Sequence, residues 1–198
     1  MNAAGAFYLN GKVYAGWSDG GLYSWTFDGS SLGPRADVLE QGNYVYGRTW
    51  TSFTDVTGMF WLDGRLYYTR SGDPHLFYRY FSPASELVGS IQYVASGPGV
   101  DALDWSNVEG MTEASNEIYF ATTDGNLHRI DVANGGPVQG TDVVISGPGI
   151  DGRDWRTNAM FIAPEVAADT TPPRRAGQAG RSEQLLQLDR PHVGRLDR

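Results

Sequence analysis

The chain has no cysteine among its 198 residues. Disulfides, thiolate metal sites and cysteine nucleophiles are thereby excluded, while the redox compartment stays open. Charge is scarce, at 19% of residues, and mostly of one sign. Residues 1–169 hold nine Lys and Arg against twenty Asp and Glu, a balance of −11. A nucleic-acid surface needs clustered cations to displace phosphate counterions, so that class of partner is not expected. No run of about 18 apolar residues occurs, so no membrane-spanning helix is expected. The opening stretch Met1 to Asn10 lacks the positive and apolar regions of a secretory signal, which predicts no export address in this polypeptide. Helical periodicity is missing as well: no window in residues 1–165 keeps apolar residues at i, i+3, i+4 and i+7 without a Gly or Pro.

What is present is glycine, with 26 residues, and aromatic side chains, at 13%. They recur. Ala6-Phe7-Tyr8-Leu9-Asn10-Gly11 aligns with Met59-Phe60-Trp61-Leu62-Asp63-Gly64 and with Met111-Thr112-Glu113-Ala114-Ser115-Asn116, and Met160-Phe161-Ile162 opens a fourth copy. The starts are spaced by 53, 52 and 49 residues, near the roughly 50-residue period of kelch-type blades. Within each copy, Asn10-Gly11, Asp63-Gly64 and Ser115-Asn116 suit the positive φ angles of a type I′ hairpin turn. The β-branched and aromatic strands Val13-Tyr14-Ala15, Leu66-Tyr67-Tyr68 and Ile118-Tyr119-Phe120 follow. A second turn comes at Asp19-Gly20, at residues 72–74 and at Asp124-Gly125, and longer outer segments end at Trp50, Trp105 and Trp155. The predicted fold class is all-β, a β-propeller of about three four-stranded blades plus the start of a fourth. Since rings usually hold four to eight blades, the expectation is an incomplete ring, lacking upstream blades or completed by a second chain.

Composition divides the chain into a partial propeller over residues 1–165, a Pro-rich linker over 166–173 and an Arg-rich tail over 174–198. Pro172 and Pro173 disfavour both helix and sheet. The tail carries six Arg against Glu183, Asp189 and Asp197. A natural disordered segment and an aberrant, frameshifted end both fit so abrupt a change.

The segments Gly58 to Thr69, Leu76 to Pro83 and Ser146 to Arg156 resemble the C-terminal propeller region of large secreted multimodular proteins of high-GC Gram-positive bacteria. In that family a linker similar to Asp169-Thr170-Thr171-Pro172-Pro173 leads into fibronectin type III or carbohydrate-binding modules. The resemblance implies an extracellular or cell-surface setting and supplies no catalytic residues.

Several side chains are candidates for chemistry. Ser96 to Trp105 and Ser146 to Trp155 are paired Gly-rich loops, each with two carboxylates: Asp101 and Asp104, Asp151 and Asp154. Oxygen-rich loops suit calcium, and the same acids also suit turn scaffolding by accepting backbone N–H bonds. The first copy, Tyr46 to Trp50, lacks both acids and is faintly similar to the Asp-box turn of sialidases. Glycosidase chemistry needs two carboxyl groups, one held protonated, and Asp55, Glu109 and Glu113 lie near the blade entries. His75, His128 and His192 show neither ligand spacing nor a Gly-x-Ser-x-Gly partner, so no triad or His metal site is expected. Aromatic faces stack on sugars and suit protein recognition, which makes Trp61, Tyr67, Tyr78, Tyr80, Trp17 and Trp25 candidate ligand-binding residues. Strand alternation also sends half of such rings into packing.

These readings converge on a non-catalytic extracellular module that recognises or spaces, toward polysaccharide or a cell-surface protein, with no cofactor unless calcium. The competing expectation is part of a polysaccharide-degrading enzyme using paired carboxylates. A third is an inert, open ring whose exposed edges associate.

Overall fold

The structure, a computed structural model, describes residues 3–38 and 52–163 and the backbone of residues 193–195. It is all-β and antiparallel throughout. The first sheet runs in chain order through β1 (Ala3–Leu9), β2 (Lys12–Trp17), β3 (Leu22–Phe27) and β4 (Leu32–Asp37). The second is β5 (Val56–Leu62), β6 (Arg65–Arg70), β7 (Leu76–Ser82) and β8 (Leu87–Val88), with β9 (Tyr93–Ser96) also on β7. The third repeats that plan with β10 (Val108–Ala114), β11 (Glu117–Thr122), β12 (Leu127–Ala133) and β13 (Gly136–Pro137), and with β14 (Val143–Ser146) on β12. The fourth pairs β15 (Met160–Ile162) with β16 (Val193–Arg195), so three residues of the Arg-rich tail join a sheet. Among the described residues no helix is long and apolar enough to cross a membrane.

Turn chemistry sets the register. Asn10 and Gly11, Asp63 and Gly64, and Ser115 and Asn116 all take positive φ, as a type I′ hairpin requires. In the second turns Asp19, Asp73 and Asp124 each accept an N–H from two residues on, at 2.9, 3.0 and 3.1 Å, and the hairpins stay in step. The pairing of Ala6 with Ala15, Met59 with Tyr68 and Met111 with Phe120 is therefore equivalent in the three sheets, each just past a β-bulge.

The sheets meet through their first strands. β1 packs on β5, β5 on β10, β10 on β15, and β15 back on β1, where Gly5 N donates to Asn158 O at 2.8 Å. The inner strands thus close a ring of four within one chain. Where about three blades and the start of a fourth predict an open ring, the three residues of β15 bridge the inner edge between β10 and β1. Among the described residues, incompleteness is confined to the outer part of the fourth sheet.

Glycine permits the close approach. A Cβ on Gly5 would lie 2.9 Å from Met59 Cγ and N, and one on Gly58 would lie 2.9 Å from the same atoms of Met111. Met59, Met111 and Met160 are all buried. Two apolar clusters lie between successive sheets, one around Phe7, Tyr14, Leu66 and Phe81 and one around Phe60, Tyr67, Trp105 and Ile118. A third joins Ala6, Val13 and Ala15 to Ala159 and Phe161.

Candidate functional site

The two Gly-rich loops are scaffolds by geometry. Trp105 Nε1 donates to Ser96 Oγ at 2.7 Å and Trp155 Nε1 to Ser146 Oγ at 2.6 Å. Asp101 accepts the backbone N–H groups of Gly97 and Leu103, and Asp151 those of Gly147 and Arg153. Asp104 accepts from Ser106 N, and Asp154 from the backbone and guanidinium of Arg156. Calcium requires six to eight oxygens around one point. Among the described residues no three His, Asp or Glu side chains gather to hold a metal ion. The Tyr46 to Trp50 segment lies outside the described residues.

The expected catalytic acids stand apart. Asp55, ahead of β5, accepts from Arg70 NH1 at 3.3 Å. Glu109 and Glu113 occupy opposite ends of β10, about 13 Å apart at roughly 3.3 Å per residue. Burial pushes the Glu113 carboxyl above its usual range and the Asp63 charge adds to this; Glu113 does not line the cavity described below. β1 also comes close to β10 across the ring.

The aromatic candidates separate by exposure. Tyr67 is 1% exposed, with its hydroxyl donating to Gly135 O at 2.5 Å, so its ring belongs to the core rather than to a ligand surface. Trp61 is half-buried against the first cluster, with an indole N–H that has no hydrogen-bond partner. Tyr78 stacks on Tyr93 at 4.9 Å beneath the Arg65 guanidinium, and Tyr80, 52% exposed, sets its edge against both tyrosines. Trp17 and Trp25 are half-buried neighbours at 5.9 Å and lean on the Phe161 cluster.

A cavity of about 320 Å³ opens on the third sheet instead. The loop of Leu103, Asp104, Trp105 and Asn107 forms one wall; Thr122, Thr123, Asp124 and Asp142 form the rim; Phe120, His128 and Ile130 form the floor. The Trp105 ring, fixed by Ser96, leans on Phe120 at 5.2 Å, and Phe120 stacks on the His128 imidazole at 4.9 Å. His128 Nδ1 lies 3.0 Å from Asp142 Oδ1. The Thr122 hydroxyl and Asn126 N–H hold the Asp124 carboxyl below its usual range, and Ser106 N–H does the same for Asp104. Both are ionised at neutral pH. His128 and Asp142 escaped sequence reasoning because a lone His on a strand has no ligand spacing, and only the β12–β14 pairing brings residue 142 beside residue 128.

No protein-family model matches the chain, and no curated protein matches it. Among solved structures it is similar to a Myxococcus xanthus glutaminyl cyclase, with 15% identity over 82% of this chain and 63% of that one and a TM-score of 0.46. It is also similar to a calcium-binding regucalcin from Agrobacterium tumefaciens, with 12% identity over 77% and 45% of the two chains and a TM-score of 0.44. A third is the PQQ-bound aldose sugar dehydrogenase of Streptomyces coelicolor, with 12% identity over 77% and 66% and a TM-score of 0.36. The chain thus spans less than two thirds of the length of each of these structures.

Proposed function

We propose that the chain is a β-propeller recognition module, part of a larger secreted protein, which holds a polysaccharide or cell-surface partner without chemically altering it. Three sheets of equivalent register with a short fourth are its blades, and the cavity on the third sheet is its ligand-contacting site. That cavity carries the reading. It has the size of a small-molecule or side-chain site, a packed aromatic floor and convergent polar groups at the rim. The exposed Tyr80 edge beside Tyr78 and Tyr93 offers a second contact surface, apart from the cavity. The purified full chain is expected to bind on a glycan or cell-surface array with no turnover, and to lose that binding on changing Asp142 to Asn. Array-wide silence, or release of product from a bound ligand, overturns the reading.

A hydrolase with paired carboxylates is the second reading, favoured by Asp104 and Asp124 lining one cavity. Glycoside cleavage needs one of its two acids protonated at working pH. Backbone and hydroxyl donors favour the ionised form of both Asp104 and Asp124, which suits holding a ligand better than donating a proton to it. Reducing-sugar release that disappears in Asp104→Asn would favour this second reading.

A further inference from the structure

The repeat itself indicates what the cavity holds. Thr122 pairs with Val108 as Arg70 pairs with Val56, and His128 pairs with Phe120 as Phe77 pairs with Tyr68 and Tyr23 with Ala15. Asp142, Gln92 and Arg35 each precede the residue that pairs with the next position of the same strand: Val143 with Arg129, Tyr93 with Tyr78, Ala36 with Ser24. The three sheets can therefore be compared position by position.

In the second sheet the space is taken by the chain's own cation. The Arg70 guanidinium carbon lies 5.7 Å from the Tyr68 ring centre and 5.8 Å from that of Phe77. Its nitrogens reach Asp55 at 3.3 Å and Gln92 at 3.2 Å. In the first sheet a guanidinium covers the equivalent ring from the other side chain position, with Arg35 4.4 Å above Tyr23. The third sheet keeps the ring pair, Phe120 and His128, but has Thr122 where Arg70 stands and Asp142 where Gln92 or Arg35 stands. Both cations are gone, a carboxylate is added, and a cavity lined by three Asp and no Lys or Arg is left.

We infer that this cavity receives a guanidinium group from outside, the arginine side chain of a polypeptide partner. The inference deepens the recognition-module reading and rests on it. A planar guanidinium lies flat on an aromatic face and forks two N–H donors onto carboxylates, whereas an ammonium offers a point charge. The cavity supplies matching acceptors in Asp104, Asp124 and Asp142, and a floor of stacked rings. The same group already sits over the ring equivalent to His128 in the first and second sheets.

Titration calorimetry of the full chain against blocked Gly-Arg-Gly, Gly-Lys-Gly and Gly-citrulline-Gly, with neutral oligosaccharides in parallel, tests this. Citrulline keeps the shape and removes the charge. The Arg peptide is expected to bind saturably, at least tenfold more tightly than the citrulline peptide, to shift the His128 imidazole resonances, and to weaken as salt is raised. Asp142→Asn is expected to weaken it at least tenfold. The double change Thr122→Arg with Asp142→Gln copies the second sheet's own filling, and it should fold, by far-UV circular dichroism, and bind no Arg peptide. Equal binding of the Arg and citrulline peptides, or none of the Arg peptide, overturns the inference. If neutral oligosaccharides bind at His128 while the Arg peptide does not, the recognition module stands and its guanidinium ligand falls.

Discussion

Gly58 of sheet two stands tightly against Met111 of sheet three, and this contact sets a test of how the inner ring is built. A methyl group on Gly58 would stand 2.9 Å from Met111 N and Cγ and 3.1 Å from Gly110 C. Two of those three atoms are backbone, so the strands themselves must part. Overpacking of this kind costs about 1–3 kcal/mol, against a gain below about 1 kcal/mol from a stiffer unfolded chain. Met111→Ala alone removes a fully buried side chain and should cost about 2–5 kcal/mol. Combining the two places a methyl on each side, the arrangement the chain already uses where Ala159 and Ala6, both 0% exposed, share one cluster. The double variant should therefore fall short of the summed costs by about 1 kcal/mol or more. Urea denaturation of the single and double variants measures this, with Gly149→Ala, which has open space around it, as a control within about 0.5 kcal/mol of the parent. A silent Gly58→Ala, or strict additivity with Met111→Ala, refutes the idea that glycine sets the spacing of the ring.

Ser96→Ala strands the buried Trp105 indole N–H and should cost about 1–3 kcal/mol in the same assay, more than the half-buried Ser106→Ala turn variant. Glu113 is raised by burial, so its ionisation is a penalty that is complete above its folded value and absent below its unfolded value near 4.5. Glu113→Gln should then raise the melting temperature at pH 7 and make no difference near pH 3. Glu86 has the opposite sign: burial would lift it, but hydrogen bonds from Lys12 and Tyr14 outweigh that and hold it low. Its stabilisation is present above about pH 4.5, the unfolded value, and is lost as pH falls through the lower folded value. Glu86→Gln should flatten that part of the acid melting curve, and an unchanged curve would show that the pair contributes nothing.

Much of the hairpin framework was legible because its demands are local. Asn10-Gly11 and Asp63-Gly64 announce positive φ in the residue types themselves, and even Ser115-Asn116, which lacks glycine, follows the same geometry. Ring closure was not legible, because it depends on β15, which is three residues long and changes the Gly–Met junction to Ala–Ala. Nor could alternation sort the aromatic residues. Both faces of a sheet between two neighbours are covered, so Tyr67 and Tyr78 point the same way along adjacent strands yet differ in burial according to what the third sheet places opposite them. The cavity was the least legible feature, since it consists of side chains that are missing at positions 122 and 142, and a missing side chain has meaning only once the register of three sheets is known.

Departures from the repeat mark where packing no longer dictates the residue. Tyr14, Tyr67 and Tyr119 are equivalent, each paired with residue 7, 60 or 112 of the preceding strand. Tyr14 reaches the next sheet at Glu86 and Tyr67 reaches it at Gly135, so each ties one sheet to its successor. Tyr119 instead donates within its own sheet to Glu117, which also pairs with Arg129 at 3.3 Å, and the stacked Phe7 and Phe60 of the earlier copies give way to Thr112. The successor on that side is the short sheet of β15 and β16, which among the described residues has no third strand and hence no outer turn to meet a tyrosine hydroxyl. The third repeat therefore differs on both faces, polar toward the fourth sheet and open at the His128 cavity toward the second. A sheet whose two faces are both released from the packing that constrains the first and second sheets is the place in this ring where residues are freest to vary, which is why the proposed recognition site lies there rather than on the more aromatic but better packed first and second sheets.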